Sequence, residues 1–242
     1  MGGGMSKTEN MIQHEEEVVT ECKAKSSHKP VYDIEKLGIR VIFLGNSGVG
    51  KTCVLERYQS DRFFSTFGST AGVETYIRKE KMDGKDVTIT FYDSGGQEKF
   101  RAIVRSYYRK SRGAVLVYDI TDRKSFLDLD YWVSEMQAHC EFSLSEMPIM
   151  VLGNKSDHGH LRTVPTAEAE VWCERHGFAF LETSALTGKN TSDAFKLFIQ
   201  LIQKMVVKPL EDQEEDSSDS FLTRETEGLP LKSVSKKGAC GR

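Results

Sequence analysis

The sequence predicts an α/β domain built on a mostly parallel, six-stranded sheet covered by helices on both faces. Three observations carry that expectation. Short β-rich runs alternate with helical patterns along most of the 242 residues, which is the signature of a sheet with helices packed on each side. A Gly-rich loop with the spacing G-x-x-x-x-G-K-[ST] stands between the first run and the first helical stretch, as a phosphate-binding loop requires. An Asp-Gly turn, Met82-Asp83-Gly84-Lys85, joins the second and third runs and makes that one pair an antiparallel hairpin.

The strand runs are Ile39–Leu44, Val73–Lys81, Val87–Tyr92, Ala114–Tyr118, Ile149–Leu152 and Phe178–Leu181. Helical patterns fall at Lys51–Gln59, Ser125–His139, Thr166–His176 and Thr191–Val206. In the last of these, Ala194, Leu197, Phe198, Leu201, Ile202 and Met205 recur at helical spacing. Sheets of this kind bind ligands at the carboxyl ends of their strands. Residues 1–36 and 208–242 hold too little apolar content to offset the entropy of ordering, and both are expected to be disordered tails around a domain at 37–207.

Composition narrows the function. The net charge of −3 argues against nucleic acid as a partner. The five cysteines form no C-x-x-C pair, so a disulfide or zinc framework is not expected and a reducing, cytosolic setting fits. No apolar run reaches the length of a membrane span, and the Gly-rich, then acidic start does not read as a secretory signal.

In Gly45-Asn46-Ser47-Gly48-Val49-Gly50-Lys51-Thr52 the glycines let backbone N–H groups turn around a phosphate, and the helix N-terminus adds positive potential. Lys51 would reach the β- and γ-phosphates and Thr52 would give a hydroxyl to Mg²⁺. This motif alone does not choose between ATP and GTP, or between a hydrolase and a kinase. Asn154-Lys155-Ser156-Asp157 follows the fifth strand run. A carboxylate there can accept from the N1–H and 2-amino edge of guanine, whereas adenine leaves it unpaired.

At this point the chain resembles the Ras-like small GTPases, over about residues 38–207. The resemblance implies the P-loop small-GTPase fold, bound GTP or GDP with Mg²⁺, and slow GTP hydrolysis. It implies that Asn154, Lys155 and Asp157 hold the base, and that Ser184, Ala185 and Leu186 in Glu182-Thr183-Ser184-Ala185-Leu186 form a further base loop. Asp93-Ser94-Gly95-Gly96-Gln97 resembles the γ-phosphate sensor: Asp93 acts toward Mg²⁺ through water, Gly96 meets the γ-phosphate, and Gln97 orients the attacking water. Thr70 matches the first-switch threonine that joins Mg²⁺ when GTP is present. Phe63 matches an aromatic that packs against the guanine, with a place in the core as its alternative. Cys53 completes the nucleotide contacts after Thr52. Gln97 and Lys51 are then the catalytic residues, with Thr52, Thr70 and Asp93 toward the metal.

Within that superfamily, Leu116-Val117-Tyr118-Asp119-Ile120-Thr121, Tyr107-Tyr108-Arg109 and Gln97-Glu98-Lys99-Phe100-Arg101 resemble Rab. The resemblance implies exchange factors, activating proteins and effectors as partners, a role in vesicle traffic, and a peripheral place on the cytosolic face of a membrane. The switches diverge: Ala71-Gly72-Val73-Glu74-Thr75 replaces the usual I-G-x-D-F, and of the aromatic triad matching Thr75, Tyr92 and Tyr107 only Tyr107 is the usual residue. Membrane attachment has two candidate positions, N-myristoylation at Gly2 and prenylation at Cys240, each standing beside an unmodified tail as the alternative. A P-loop nucleotide kinase and a nucleotide-binding scaffold without useful hydrolysis are the competing readings.

Overall fold

The computed structural model describes residues 38–63, 70, 72–95 and 101–209, with side chains of the last stretch described from 104. The expectations for residues 1–36 and for the tail from 210 therefore lie outside the described residues, Gly2 and Cys240 included.

Among the described residues six strands form one sheet: β1 (Ile39–Leu44), β2 (Val73–Met82), β3 (Lys85–Ser94), β4 (Gly113–Asp119), β5 (Ile149–Asn154) and β6 (Ala179–Glu182). Their spatial order is β2-β3-β1-β4-β5-β6. Only β2 runs antiparallel to its neighbour, in a ten-pair register from Val73 opposite Ser94 to Met82 opposite Lys85. The Asp83-Gly84 turn that makes this possible has φ of 49° and 84°, the left-handed conformation of a hairpin turn.

β4 and β5 are buried along their lengths, and β1 all but Arg40, because helices cover both faces. The two-residue period of each strand divides its side chains between two cores. Val41, Phe43, Val115, Val117, Met150 and Leu152 face α1 (Lys51–Ser60) and the last helix. Ile42, Leu44, Ala114, Leu116, Ile149 and Val151 face the opposite layer. That layer holds α2 (Arg101–Tyr108), α3 (Arg123–Leu127), α4 (Leu129–His139) and α5 (Thr166–His176). The last helix, α6 (Thr191–Ile202), runs into a wide π-type turn at Gln203–Val207. Helical backbone continues to residue 209, two residues into the segment assigned to the tail. Among the described residues no helix is long and apolar enough to cross a membrane.

Two differences from the expected helices matter. The single helix expected over 125–139 is two, because the chain turns at Asp128, where φ is −71° and ψ −4° and the N–H reaches back to Lys124 and Phe126 carbonyls. The segment Arg101–Tyr108 is a further helix, outside the expected helical patterns. Its Val104 and Tyr108, four residues apart, are both buried in the second core.

The α1/α6 core is anchored by an aromatic group. Phe195 stacks on Tyr58 at 3.7 Å and on Phe43 at 6.1 Å, and meets Phe91 edge-on at 5.9 Å. Phe195→Ala is expected to cost about 3–5 kcal/mol, since the ring is fully buried and its neighbours belong to three different elements. Urea denaturation measures this, and a loss below about 1 kcal/mol would contradict the packing described.

Candidate functional site: a phosphate and base cradle at the strand ends

Because β1, β3, β4, β5 and β6 are mutually parallel, their carboxyl ends meet at one edge of the sheet. The conspicuous polar residues of the sequence gather there: the loop after β1, Asp93 on β3, Asp119 on β4, Asn154 on β5 and the loop after β6.

The loop after β1 is tight enough to demand glycine at two places. Gly45 has φ 139°, and a Cβ there would lie 2.1 Å from the Val117 carbonyl oxygen. Gly50 has φ 95°, and a Cβ would lie 2.4 Å from Asn154 Nδ2. Gly50 opens α1 with no side-chain cap and no acidic residue in the first turn. The first N–H groups of that helix are thus not capped by a side chain at Gly50, and an anion is the ligand that their dipoles favour. Ser47 and Gly48 are exposed at the loop's tip, and Val49 is buried beneath it.

Lys51 folds back over this loop. Its Nζ donates to the carbonyls of Gly45 at 2.9 Å and Asn46 at 2.8 Å. Burial pushes its ammonium down to about 8, against the attraction of Asp93. Asp93 is fully buried, and burial pushes its carboxyl up to about 6 although the Thr52 hydroxyl and Lys51 pull it down. Thr52 Oγ1 donates to Asp93 Oδ2 and lies 2.8 Å from Thr70 Oγ1. Two hydroxyls and one carboxylate therefore converge, and Asp93 Oδ1 is buried with no hydrogen-bond partner among the described residues. This donor set fits Mg²⁺, which takes one or two carboxylate or hydroxyl oxygens from the protein and completes its shell with water and substrate phosphate. Among the described residues no group of three or more His, Cys, Asp or Glu side chains competes as a metal site.

The base end is a second cluster. Asn154 is buried and works on both sides: Nδ2 donates to the Val49 carbonyl at 2.9 Å, and Oδ1 accepts from the Ala185 N–H at 3.2 Å. It thereby ties the phosphate loop to the loop after β6. Asp157 Oδ1 accepts from Ser184 Oγ at 2.5 Å, which orients its carboxylate. Lys155, in the left-handed region at φ 64°, places Nζ 2.7 Å from Asp119 Oδ2. Burial alone would raise the Asp119 carboxyl, but bonds from Lys155 and Thr121 outweigh it and hold it below the ordinary range. Arg57 on α1 clamps the far loop, donating from Nε to the Ala185 carbonyl at 2.8 Å and from Nη2 to the Leu186 carbonyl at 2.7 Å.

Most of the expected residues come together. The loop 45–52, Thr70, Asp93, Asn154, Lys155, Asp157, Ser184 and Ala185 form one continuous edge. Cys53 lies half-buried in the first turn of α1, and burial raises its thiol. Leu186 is exposed beyond Ala185. Phe63 is half-buried against the α1/α6 core, the alternative already open for it. Gly96 and Gln97 lie outside the described residues. Three contributors were not anticipated: Arg57, and the pair Asp128 and Trp132, which bind the Asn46 side chain. Nothing local in the sequence marks any of the three.

The burial of Asp93 yields a prediction with two opposite signs. Its carboxyl stands near 6 in the fold, against about 3.9 in an unfolded chain. Above pH 6 the nucleotide-free fold therefore carries the burden of a buried charge, and it gains stability from this group as pH falls from about 6 to about 4. Asp93→Asn removes the charge. The variant is expected to raise the stability of the nucleotide-free protein at pH 7 by roughly 1–3 kcal/mol and to remove the dependence of nucleotide retention on Mg²⁺. Calorimetric unfolding with and without Mg²⁺ reads both effects.

Two comparisons with known proteins bear on this geometry. A model of the Ras family matches residues 40–204. Ras-related protein YPTC6 of Chlamydomonas reinhardtii is 42% identical over 190 residues, covering 78% of this chain and 86% of the relative. The matched stretch contains the described cradle, from the loop after β1 to the loop after β6. The mostly parallel sheet with one antiparallel strand agrees with that family. The chain belongs to the Ras family of small GTPases, nearest the Rab-like side of it, and is a GTP-binding, GTP-hydrolysing protein.

Proposed function

We propose that this chain is a Rab-type switch that, in its GTP form, captures effectors in vesicle traffic at the cytosolic face of a membrane. One observation supports it above the others: Thr70, from the first switch, reaches Thr52 beside Asp93, at the end of the strand that leads into the second. Both switches therefore depend on what is bound at one point. The Gly95 N–H also donates to the Gly72 carbonyl at 2.8 Å, so the two switch segments are joined directly.

The roles follow from position. Asn154 and Asp157 select guanine. Lys51 neutralises charge on the β- and γ-phosphates, and the loop N–H groups hold them in place. Thr52, Thr70 and Asp93 would hold Mg²⁺, which supplies electrostatic stabilisation to the phosphates when bound. Gln97 orients the attacking water, so that loss of the γ-phosphate releases both switches.

For effectors, Thr75 lies opposite Tyr92 in the hairpin register, and the Tyr92 ring lies 4.8 Å from that of Tyr107. The three positions of the expected triad thus adjoin. Thr75 is exposed and offers no ring, which favours effectors different from those of a triad with three aromatics. Membrane attachment would come through lipid at Cys240 or Gly2. An exchange factor and an activating protein complete the cycle.

Gln97→Leu is expected to slow single-turnover GTP hydrolysis by about 10-fold or more while GTP binding stays intact. An unchanged rate removes Gln97 from the mechanism. The trafficking role is tested by intact mass of the protein isolated from membranes of its own cells, and by partner capture with GDP against a GTP analogue. Lipid at either position and capture by the analogue alone support the switch. Equal capture in both states, with no lipid, makes the protein a soluble nucleotide-bound scaffold.

A further inference from the structure

The phosphate loop is held by a connection that the roles above do not use. Asn46 Nδ2 donates to Asp128 Oδ2 at 2.6 Å, and Asn46 Oδ1 accepts from Trp132 Nε1 at 3.1 Å. The two partners demand opposite ends of the amide. A carboxylate accepts only and an indole N–H donates only, so the side chain has a single satisfactory orientation. The carbonyl of the same residue accepts from Lys51 Nζ at 2.8 Å. Asn46 is therefore the joint between α4 and the lysine that serves the phosphates.

Asp128 is placed at some expense for this. It stands at the N-cap of α4, where an aspartate ordinarily accepts from the second or third N–H of the helix. Its side chain makes no such cap bond. The carboxylate instead reaches across 82 residues of sequence to the loop. A negative charge beside a phosphate site is unfavourable unless balanced, and Lys124 Nζ lies 2.5 Å from the same oxygen. Trp132 is buried, so its N–H needs the partner that Asn46 supplies.

We propose that Asp128 and Trp132 are positioning residues for nucleotide binding: through the Asn46 side chain they fix the loop carbonyl that orients Lys51. The inference rests on the nucleotide-binding reading of this site. Asp128→Asn keeps an oxygen that can accept from Asn46 and removes only the charge, while Asp128→Ala removes the acceptor. Trp132→Phe keeps a ring in the core and removes the donor.

The experiment is GDP dissociation from the full chain in Mg²⁺, followed with a fluorescent GDP. Dissociation is expected to quicken about tenfold in Asp128→Ala and in Trp132→Phe, and to stay within about twofold of the parent in Asp128→Asn. A spectroscopic arm excludes a merely structural effect. Trp132 and Trp172 are the two tryptophans, so Trp172→Phe leaves one indole. Its emission is expected to shift when Mg²⁺ is chelated and GDP leaves, and Asn46→Ala should abolish that shift while circular dichroism is unchanged. Parental dissociation rates in both Asp128→Ala and Trp132→Phe, or an undiminished shift in Asn46→Ala, overturn the proposal. A parent chain that retains no GDP overturns the nucleotide reading itself, and the proposal with it.

Discussion

Everything at this site depends on two buried charges of opposite sign at the carboxyl edge of the sheet. Lys51 and Asp93 attract each other, yet burial outweighs that attraction for both, holding the ammonium down to about 8 and the carboxyl up to about 6. A buried ammonium is best served by several anionic oxygens, and a buried carboxylate with one oxygen unpaired is best served by a cation. A nucleotide polyphosphate with Mg²⁺ answers both demands at once. The stability of the fold and the occupancy of the site are therefore linked, and the Thr70 hydroxyl joins the same cluster.

The rest of the architecture makes that burial possible. Splitting each central strand between two cores lets β4 and β5 be wholly buried, and β1 all but Arg40, so their carboxyl ends open onto a site with a low-dielectric floor. Glycines 45 and 50 admit the close approach of the loop to Val117 and Asn154. Asn154 and Arg57 then join the phosphate end to the base end. The loop after β6 and the loop after β1 are thus tied by direct hydrogen bonds.

Much of this was legible in the sequence because its signals are local. The spacing from Gly45 to Thr52, the Asp83-Gly84 turn and the run Asn154 to Asp157 each sit within a few residues, and their conformation is set by those residues. Strand boundaries moved by one or two positions, as for β3, which extends to Lys85 and Ser94. The break at Asp128 was hidden because Leu127 and Leu129 continue an apolar pattern with no Gly or Pro between them. Helix α2 is outside the expected patterns although Val104 and Tyr108 carry a helical spacing. Arg57, Asp128 and Trp132 could not be found this way. Their partners lie between 82 and 129 residues off in the chain, and only the fold brings them together.

The most direct test of the linkage is thermal unfolding of the nucleotide-stripped protein with GDP, GDP plus Mg²⁺, and ADP plus Mg²⁺ at equal concentration. The account predicts a large rise in melting temperature with GDP and Mg²⁺ together, a much smaller one when Mg²⁺ is chelated, and none with ADP. Equal stabilisation by ADP, or indifference to Mg²⁺, would contradict it.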